Sequence, residues 1–239
     1  MGTRQQHGFT IIEISLFVAI SGLLALGLLT GWSVAINGQR YKDSVDSLYA
    51  YIQQQYSLVY SVENGRTSEL GCNSAGVDEN GNIPRGQSDC VLLGRYLRLT
   101  NGNRFESFAV IGNETTDMEG ELSEYQPKVV EQQIGLSQSE FVVPWGAYLT
   151  EQGSASALNI GIAIIRSPST GTVYSYITDN GNTQNLSDVV ADINQTEQYL
   201  CVRPDTGTVS VSGGLQAIYL PQFSASLNSV ETIAEDSGC

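Results

Sequence analysis

The chain is poor in the side chains that most enzymatic chemistry needs. It has a single histidine, His7, and carries neither a GxxxxGK[ST] phosphate loop nor an HExxH zinc motif. Any Ser-His or Cys-His pair would have to be built on that one ring, close to the start of the chain. The four cysteines, Cys72, Cys90, Cys201 and Cys239, form no CxxC pair, which removes zinc-ribbon and thioredoxin-like readings. Basic residues are scarce, with 11 Lys+Arg against 25 Asp+Glu and a formal net charge of −14. Neutralising phosphates takes clustered Lys and Arg, and no basic run exists, so nucleic acid is a poor partner. Arg85, Arg95, Arg98 and Arg104 share one stretch, yet read more simply as solvated arginines on strand faces. Acidic neighbours such as Glu119 and Glu121 read as surface, so the sequence argues for a non-enzyme.

What is present begins at the N-terminus. Residues 1–8, MGTRQQHG, are short and polar, and residues 14–36 then run without a charge. That run exceeds the roughly 20 apolar residues needed to cross a bilayer. Arg4 before it, and Arg40 and Lys42 after it, set no strong orientation by charge alone. A secretory signal would place its cleavage site after the apolar run. Here the candidate cleavage point comes before it.

The six residues Gly8-Phe9-Thr10-Ile11-Ile12-Glu13, between a basic-polar leader and a charge-free span, closely resemble the class III leader site of type IV pilins and type II secretion pseudopilins. The resemblance implies removal of residues 1–8, His7 included, by a prepilin peptidase cutting between Gly8 and Phe9. It also implies N-methylation of Phe9 and a subunit-docking role for Glu13, opposite the amine of Phe9 in a neighbouring subunit. The physics fits, because an unpaired charge in the bilayer costs several kcal/mol. The new terminal amine, with a reference pKa of about 7.7–8.0, is a cation at the same depth.

The helical pattern continues past the span. Tyr41, Val45, Leu48, Ile52, Tyr56, Val59 and Val62 recur every three or four residues, while Asp43, Asp46, Gln53 and Gln54 fall off that stripe. One helix is therefore expected over residues 10–63, stopped by Asn64-Gly65, with a weak point at Asn37-Gly38. Many major pilins carry a proline midway along the apolar half; here Gly27-Leu28-Leu29-Thr30-Gly31 has glycines instead. These would soften the helix or admit close helix packing.

Beyond residue 71 the text turns to short β-rich runs. Residues 91–99 and 105–111 predict a hairpin across Asn101-Gly102; residues 157–166 and 172–178 predict a second. Residues 198–203 and 208–211 predict a third, across Pro204-Asp205-Thr206-Gly207. Two pieces, Phe141-Val142-Val143-Pro144-Trp145-Gly146 and the run from Leu200 to Val211, loosely resemble the H-type pseudopilin and its minor-pilin relatives. Residues 223–239 extend past the end expected on that resemblance. The four cysteines allow three connectivities; the local one pairs Cys72 with Cys90, closing a turn-rich loop, and Cys201 with Cys239. Each would stabilise by roughly 3 kcal/mol in an oxidising compartment. Calcium is the one ligand worth weighing, through Asp78-Glu79-Asn80-Gly81-Asn82 and Asp179-Asn180-Gly181-Asn182. Neither stretch completes an EF-hand, so no cofactor is expected.

Together these readings predict an α+β chain with the pilin fold. It comprises a leader (1–8), a long N-terminal transmembrane and amphipathic helix (9–64, span about 14–36) and an antiparallel β-sheet head (65–239). The expected role is a minor pilin or pseudopilin, a single-pass cytoplasmic-membrane protein with its head outside, later part of a filament. Its implied partners are other pilins or pseudopilins, prepilin peptidase and an inner-membrane assembly platform. A type II secretion pseudopilin and a membrane-anchored adhesin or binding module are the competing assignments.

Overall fold

The computed structural model describes residues 10–61, 71–73, 76–78, 83, 89–114, 120–131, 140–192, 198–204, 214–224, 230–234 and 239. Its first element, α1 (Ile11–Tyr60), is an uninterrupted 50-residue α-helix. Thr10 caps its start, and the chain leaves at Ser61, whose N–H still donates to Ser57 C=O at 2.9 Å. The helix thus ends before the expected residue 63, while Asn64-Gly65 lies outside the described residues. Gly27, Gly31 and Asn37-Gly38 are all helical, so none of them breaks it.

The strands are β1 (Gly71–Asn73), β2 (Gly76–Asp78), β3 (Cys90–Thr100), β4 (Arg104–Asn113), β5 (Lys128–Val130), β6 (Glu140–Val142) and β7 (Tyr148–Thr150). They continue with β8 (Ile160–Arg166), β9 (Val173–Thr178), β10 (Gln198–Arg203), β11 (Gln216–Leu220), β12 (Phe223–Ser224) and β13 (Glu231–Ala234), and a short α2 (Ser187–Ala191) precedes β10. The larger sheet runs β12-β9-β8-β3-β4-β5, with β6 also paired to β4, and a second sheet runs β13-β11-β10-β7. Every pairing is antiparallel. The chain is therefore an α+β mix of one long helix and antiparallel sheets.

Both faces of the larger sheet are covered, which explains why β8 reads Ile-Gly-Ile-Ala-Ile-Ile-Arg without a polar alternate. Ile160, Ile162 and Ile164 join one cluster with Leu97, Leu99 and Phe105 and with the stripe Tyr41, Val45, Leu48, Ile52, Tyr56 and Val59 of α1. Ala163 and Ile165 point the other way, into a second cluster with Tyr96, Phe108, Leu122, Tyr125, Leu186 and Val190. Leu149, Leu200, Val202, Ile218 and Leu220 bring the second sheet into the first cluster, so the C-terminal half of α1 is the common core of both sheets. Burying each such side chain is worth about 1.5–3 kcal/mol.

The β3–β4 hairpin turns where expected. Asn101 (φ 53°) and Gly102 (φ 68°) take the left-handed conformations of the primed turn that Asn-Gly favours. Its tip also stitches the sheets together: Leu149 N–H donates to Gly102 C=O at 2.7 Å, and Gly102 N–H donates to Leu158 C=O at 2.8 Å. The second hairpin is shorter than read, because Ala157 makes only an isolated bridge to Thr150 and β8 starts at Ile160. The third differs in partner. Gln198–Arg203 pairs with Gln216–Leu220 and with Tyr148–Thr150, while residues 208–211 lie outside the described residues. Within 223–239, β12 and β13 extend the two sheets.

Candidate membrane and assembly helix

Ile11–Leu29 is long and apolar enough to cross a membrane, and none of it is buried. Apolar side chains stand exposed on every side, from Ile11, Phe17 and Leu23 to Leu28 and Trp32. A helix hydrophobic all round needs an apolar surrounding, either lipid or other helices.

At its entrance, Thr10 and Glu13 form a reciprocal capping box. Glu13 N–H donates to Thr10 Oγ1 at 3.3 Å, and Thr10 N–H and Oγ1 donate to Glu13 Oε2 at 3.0 and 3.1 Å. The carboxylate satisfies a free N-terminal amide and sits at the positive end of the helix dipole, both of which lower the cost of holding it near lipid. Gly8 and Phe9 lie outside the described residues, as does His7.

Where the helix meets the head, polar contacts fix it. Tyr41 Oη donates to Val202 C=O at 2.9 Å and accepts from Gln216 N–H at 2.7 Å, which ties α1 to β10 and to the start of β11. Ser44 Oγ lies 2.9 Å from both the Pro144 and the Arg40 carbonyls, which share its one hydroxyl hydrogen. The Pro144 carbonyl begins the turn Pro144–Gly146, in which Trp145 adopts φ 59°, ψ 23°. A left-handed tryptophan costs about 1–2 kcal/mol. Its ring nonetheless stays exposed, with the Arg40 guanidinium 5.0 Å from the ring centre. The sequence reading missed this junction: Gly146 is the natural bearer of a left-handed turn, and only the Trp beside it signals anything unusual.

The arginine stretch does not form a basic patch among the described residues. Arg95 is buried beneath α1, donating to Gln55 Oε1 at 3.1 Å and Ser107 Oγ at 3.2 Å. Arg98 pairs with Glu131 and Glu106, lies over the Phe108 ring and donates to Gly181 C=O at 2.7 Å. Arg104 pairs with Glu140 at 3.1 Å. Each charge is matched or spent on the fold, and Arg85 lies outside the described residues.

The cysteines pair as Cys72–Cys90 and Cys201–Cys239, with Cα separations of 5.2 and 5.6 Å. The first closes the β1–β2 ribbon onto β3. The second holds the C-terminal residue against β10, where Arg203 Nη2 donates to the Cys239 carbonyl at 3.2 Å. In the turn after β9, Asn180 C=O accepts from Tyr96 and Thr178 hydroxyls, and Asn180 Oδ1 accepts from Asn182 N–H at 3.2 Å. These oxygens serve the turn itself. The other candidate stretch, beyond Asp78, lies outside the described residues, and no group of three metal-ligating side chains occurs among the described ones.

Among the described residues, the head carries open clefts. One, about 580 Å³, lies between the sheets beside Asn159, Asp179 and Tyr199; another, about 380 Å³, lies beside Tyr174, Tyr176 and Asp192. Compared with protein-family models, curated proteins and solved structures, the chain finds no match.

Proposed function

We propose that this chain is a structural subunit of a type IV pilus-like filament, a minor pilin or pseudopilin. In this reading it is released from its leader between Gly8 and Phe9 and packs into the filament through the apolar half of α1. The observation that carries the proposal is the division of labour along one helix. Residues 11–29 are apolar apart from Glu13 and two serines and are wholly unburied, while Tyr41, Val45, Leu48, Ile52, Tyr56 and Val59 lie in the core of the head. A simple membrane anchor has no need of a rigid, continuous rod running from the span into the core. A subunit that leaves the bilayer to pack by its helix does need one, because the rod keeps head and stem in one fixed relation.

Glu13 supports the same reading from the other end. An exposed carboxylate at the entrance of an apolar helix is a charge awaiting a partner. In a filament the Phe9 amine of a neighbouring subunit supplies one, so both charges are matched in a single contact. The head then stands on the outer side of the cytoplasmic membrane, consistent with its two disulfides.

The test is mass spectrometry of the N-terminal peptide from cells with an active prepilin peptidase. The expected peptide begins at Phe9 and carries one added methyl group. A chain that still begins at Met1 under those conditions overturns the proposal. Loss of the protein should then abolish either a surface-filament phenotype or secretion, and which of the two is lost separates pilus subunit from secretion pseudopilin.

A further inference from the structure

Among the described residues of the head, Trp145 is the large apolar side chain that stands most exposed, at 59%, and it belongs to the turn that meets α1 just above its apolar half. This is not a loose loop tip. Ser44 Oγ lies 2.9 Å from the Pro144 carbonyl, Val143 N–H donates to Asn103 C=O at 2.8 Å, and Val143 itself is buried. The backbone accepts a left-handed conformation at Trp145 and thereby turns the ring outward, against Arg40.

The height of this patch along the helix decides what faces it. From Ile14 to Ile36 the helix rises about 33 Å, slightly more than a hydrocarbon core of about 30 Å. Arg40 sits one turn further on, about 6 Å above Ile36, at the depth of the lipid headgroups. The order of charges along the axis fits that depth. Arg40 and Lys42 come first, and the acidic Asp43 and Asp46 follow only further from the span. Glu140, five residues before Trp145, has its charge matched by Arg104 at 3.1 Å.

We infer that Trp145 and Arg40 form a membrane-interface foot, on which the head of the unassembled subunit rests against the phosphate layer of the leaflet it faces. The indole lies at the boundary between acyl chains and headgroups, where tryptophan is favoured. The Arg40 guanidinium meets lipid phosphate while keeping its cation–π contact with the ring. The foot sets the tilt and rotation of the head over the bilayer before assembly. This inference rests on residues 14–36 crossing the membrane, and it does not depend on filament formation.

The chain has two tryptophans, Trp32 and Trp145, so each is isolated by one substitution. The full chain carrying Trp32→Phe, reconstituted in phosphatidylethanolamine–phosphatidylglycerol vesicles, leaves Trp145 as the reporter. The chain carrying Trp145→Phe leaves Trp32 as a control for insertion. Trp145 fluorescence should be quenched at least about twofold more by headgroup-labelled lipid than by lipid labelled at the acyl-chain end. It should also be shielded from acrylamide at high dilution. If acyl-chain labels fail to quench Trp32, the anchor itself is wrong and the inference falls with it. If they quench Trp32 while Trp145 stays open to acrylamide and blind to headgroup labels, the anchor stands and the foot is refuted. Shielding of Trp145 that appears only as protein density rises assigns the patch to a neighbouring subunit and equally overturns a lipid contact.

Discussion

Tyr41 and Val202 are joined across 161 residues by a 2.9 Å hydrogen bond from the phenol to the backbone carbonyl. The same oxygen accepts from Gln216 N–H at 2.7 Å, so one side chain fastens α1 to the second sheet at two points. Burial raises the Tyr41 pKa, with the Gln216 hydrogen bond opposing the shift. The neutral, donating form is thus the one the fold keeps. Tyr41→Phe retains the ring and removes both bonds, leaving Gln216 N–H without that partner. The expected loss is about 1–3 kcal/mol, read as a lower urea midpoint for the full chain in detergent. An unchanged midpoint would show that the clamp is energetically idle.

The Tyr56 phenol is fully buried and hydrogen-bonded to the Ser175 hydroxyl on β9. Burial pushes its pKa up to about 12, more than the Ser175 bond pulls it down. Tyr176 is likewise pushed up to about 12, first by burial and then by the charge of Tyr174. In the unfolded chain both titrate near 10. Between pH 10 and 12 the native state keeps protons that the unfolded state has lost, so stability falls as pH rises. The contribution is complete below pH 10 and gone above 12, at about 3 kcal/mol for Tyr56. Urea midpoints at pH 8, 10 and 11.5 should decline, and Tyr56→Phe should flatten part of that decline. A level profile in the unsubstituted chain would count against the buried-phenol account.

Gly102 is where the two sheets meet. A Cβ there would lie 2.7 Å from the Leu149 carbonyl, on a backbone already at φ +68°. Gly102→Ala should cost about 2–3 kcal/mol, combining left-handed strain with a displaced β7. Gly153 offers the control, with a similar φ of +73° and open space around it. Gly153→Ala should cost only about 1 kcal/mol. Equal drops in melting temperature would mean that the steric contact carries nothing.

Much of the helix was legible because its two halves obey two plain rules. Residues 14–36 lack charge, and residues 41–59 repeat apolar side chains every three or four positions. The buried face of the helix is nonetheless wider than its apolar stripe. Ser44 and Gln55 are as buried as Leu48, but their polar identities hid that face until Pro144, Arg95 and Ser107 supplied their partners. Hairpins with a dedicated turn, such as Asn101-Gly102, could be read locally. The pairing of Gln198–Arg203 with Tyr148–Thr150 could not, because nothing in either segment encodes a partner some fifty residues away. Trp145 was hidden for a different reason, since its outward ring depends on a left-handed backbone that its own side chain disfavours.

Glu13 has one duty seen in the fold and one that is proposed, and one pair of substitutions divides them. In the isolated chain its carboxylate closes the capping box on Thr10. In the proposed filament it also carries the charge that meets a neighbour's amine. Glu13→Gln keeps a carbonyl oxygen for Thr10 and so preserves most of the cap, but it abolishes the charge. Glu13→Ala removes both, at about 1 kcal/mol of helix start in addition. If charge pairing governs docking, both variants are cleaved between Gly8 and Phe9 yet fail to enter filaments, as quantified by immunoblot of sheared surface fractions. If the cap alone matters, Glu13→Gln assembles normally and only Glu13→Ala is impaired. The docking role of Glu13 therefore stands or falls on the glutamine variant, because it is the one that separates charge from helix geometry.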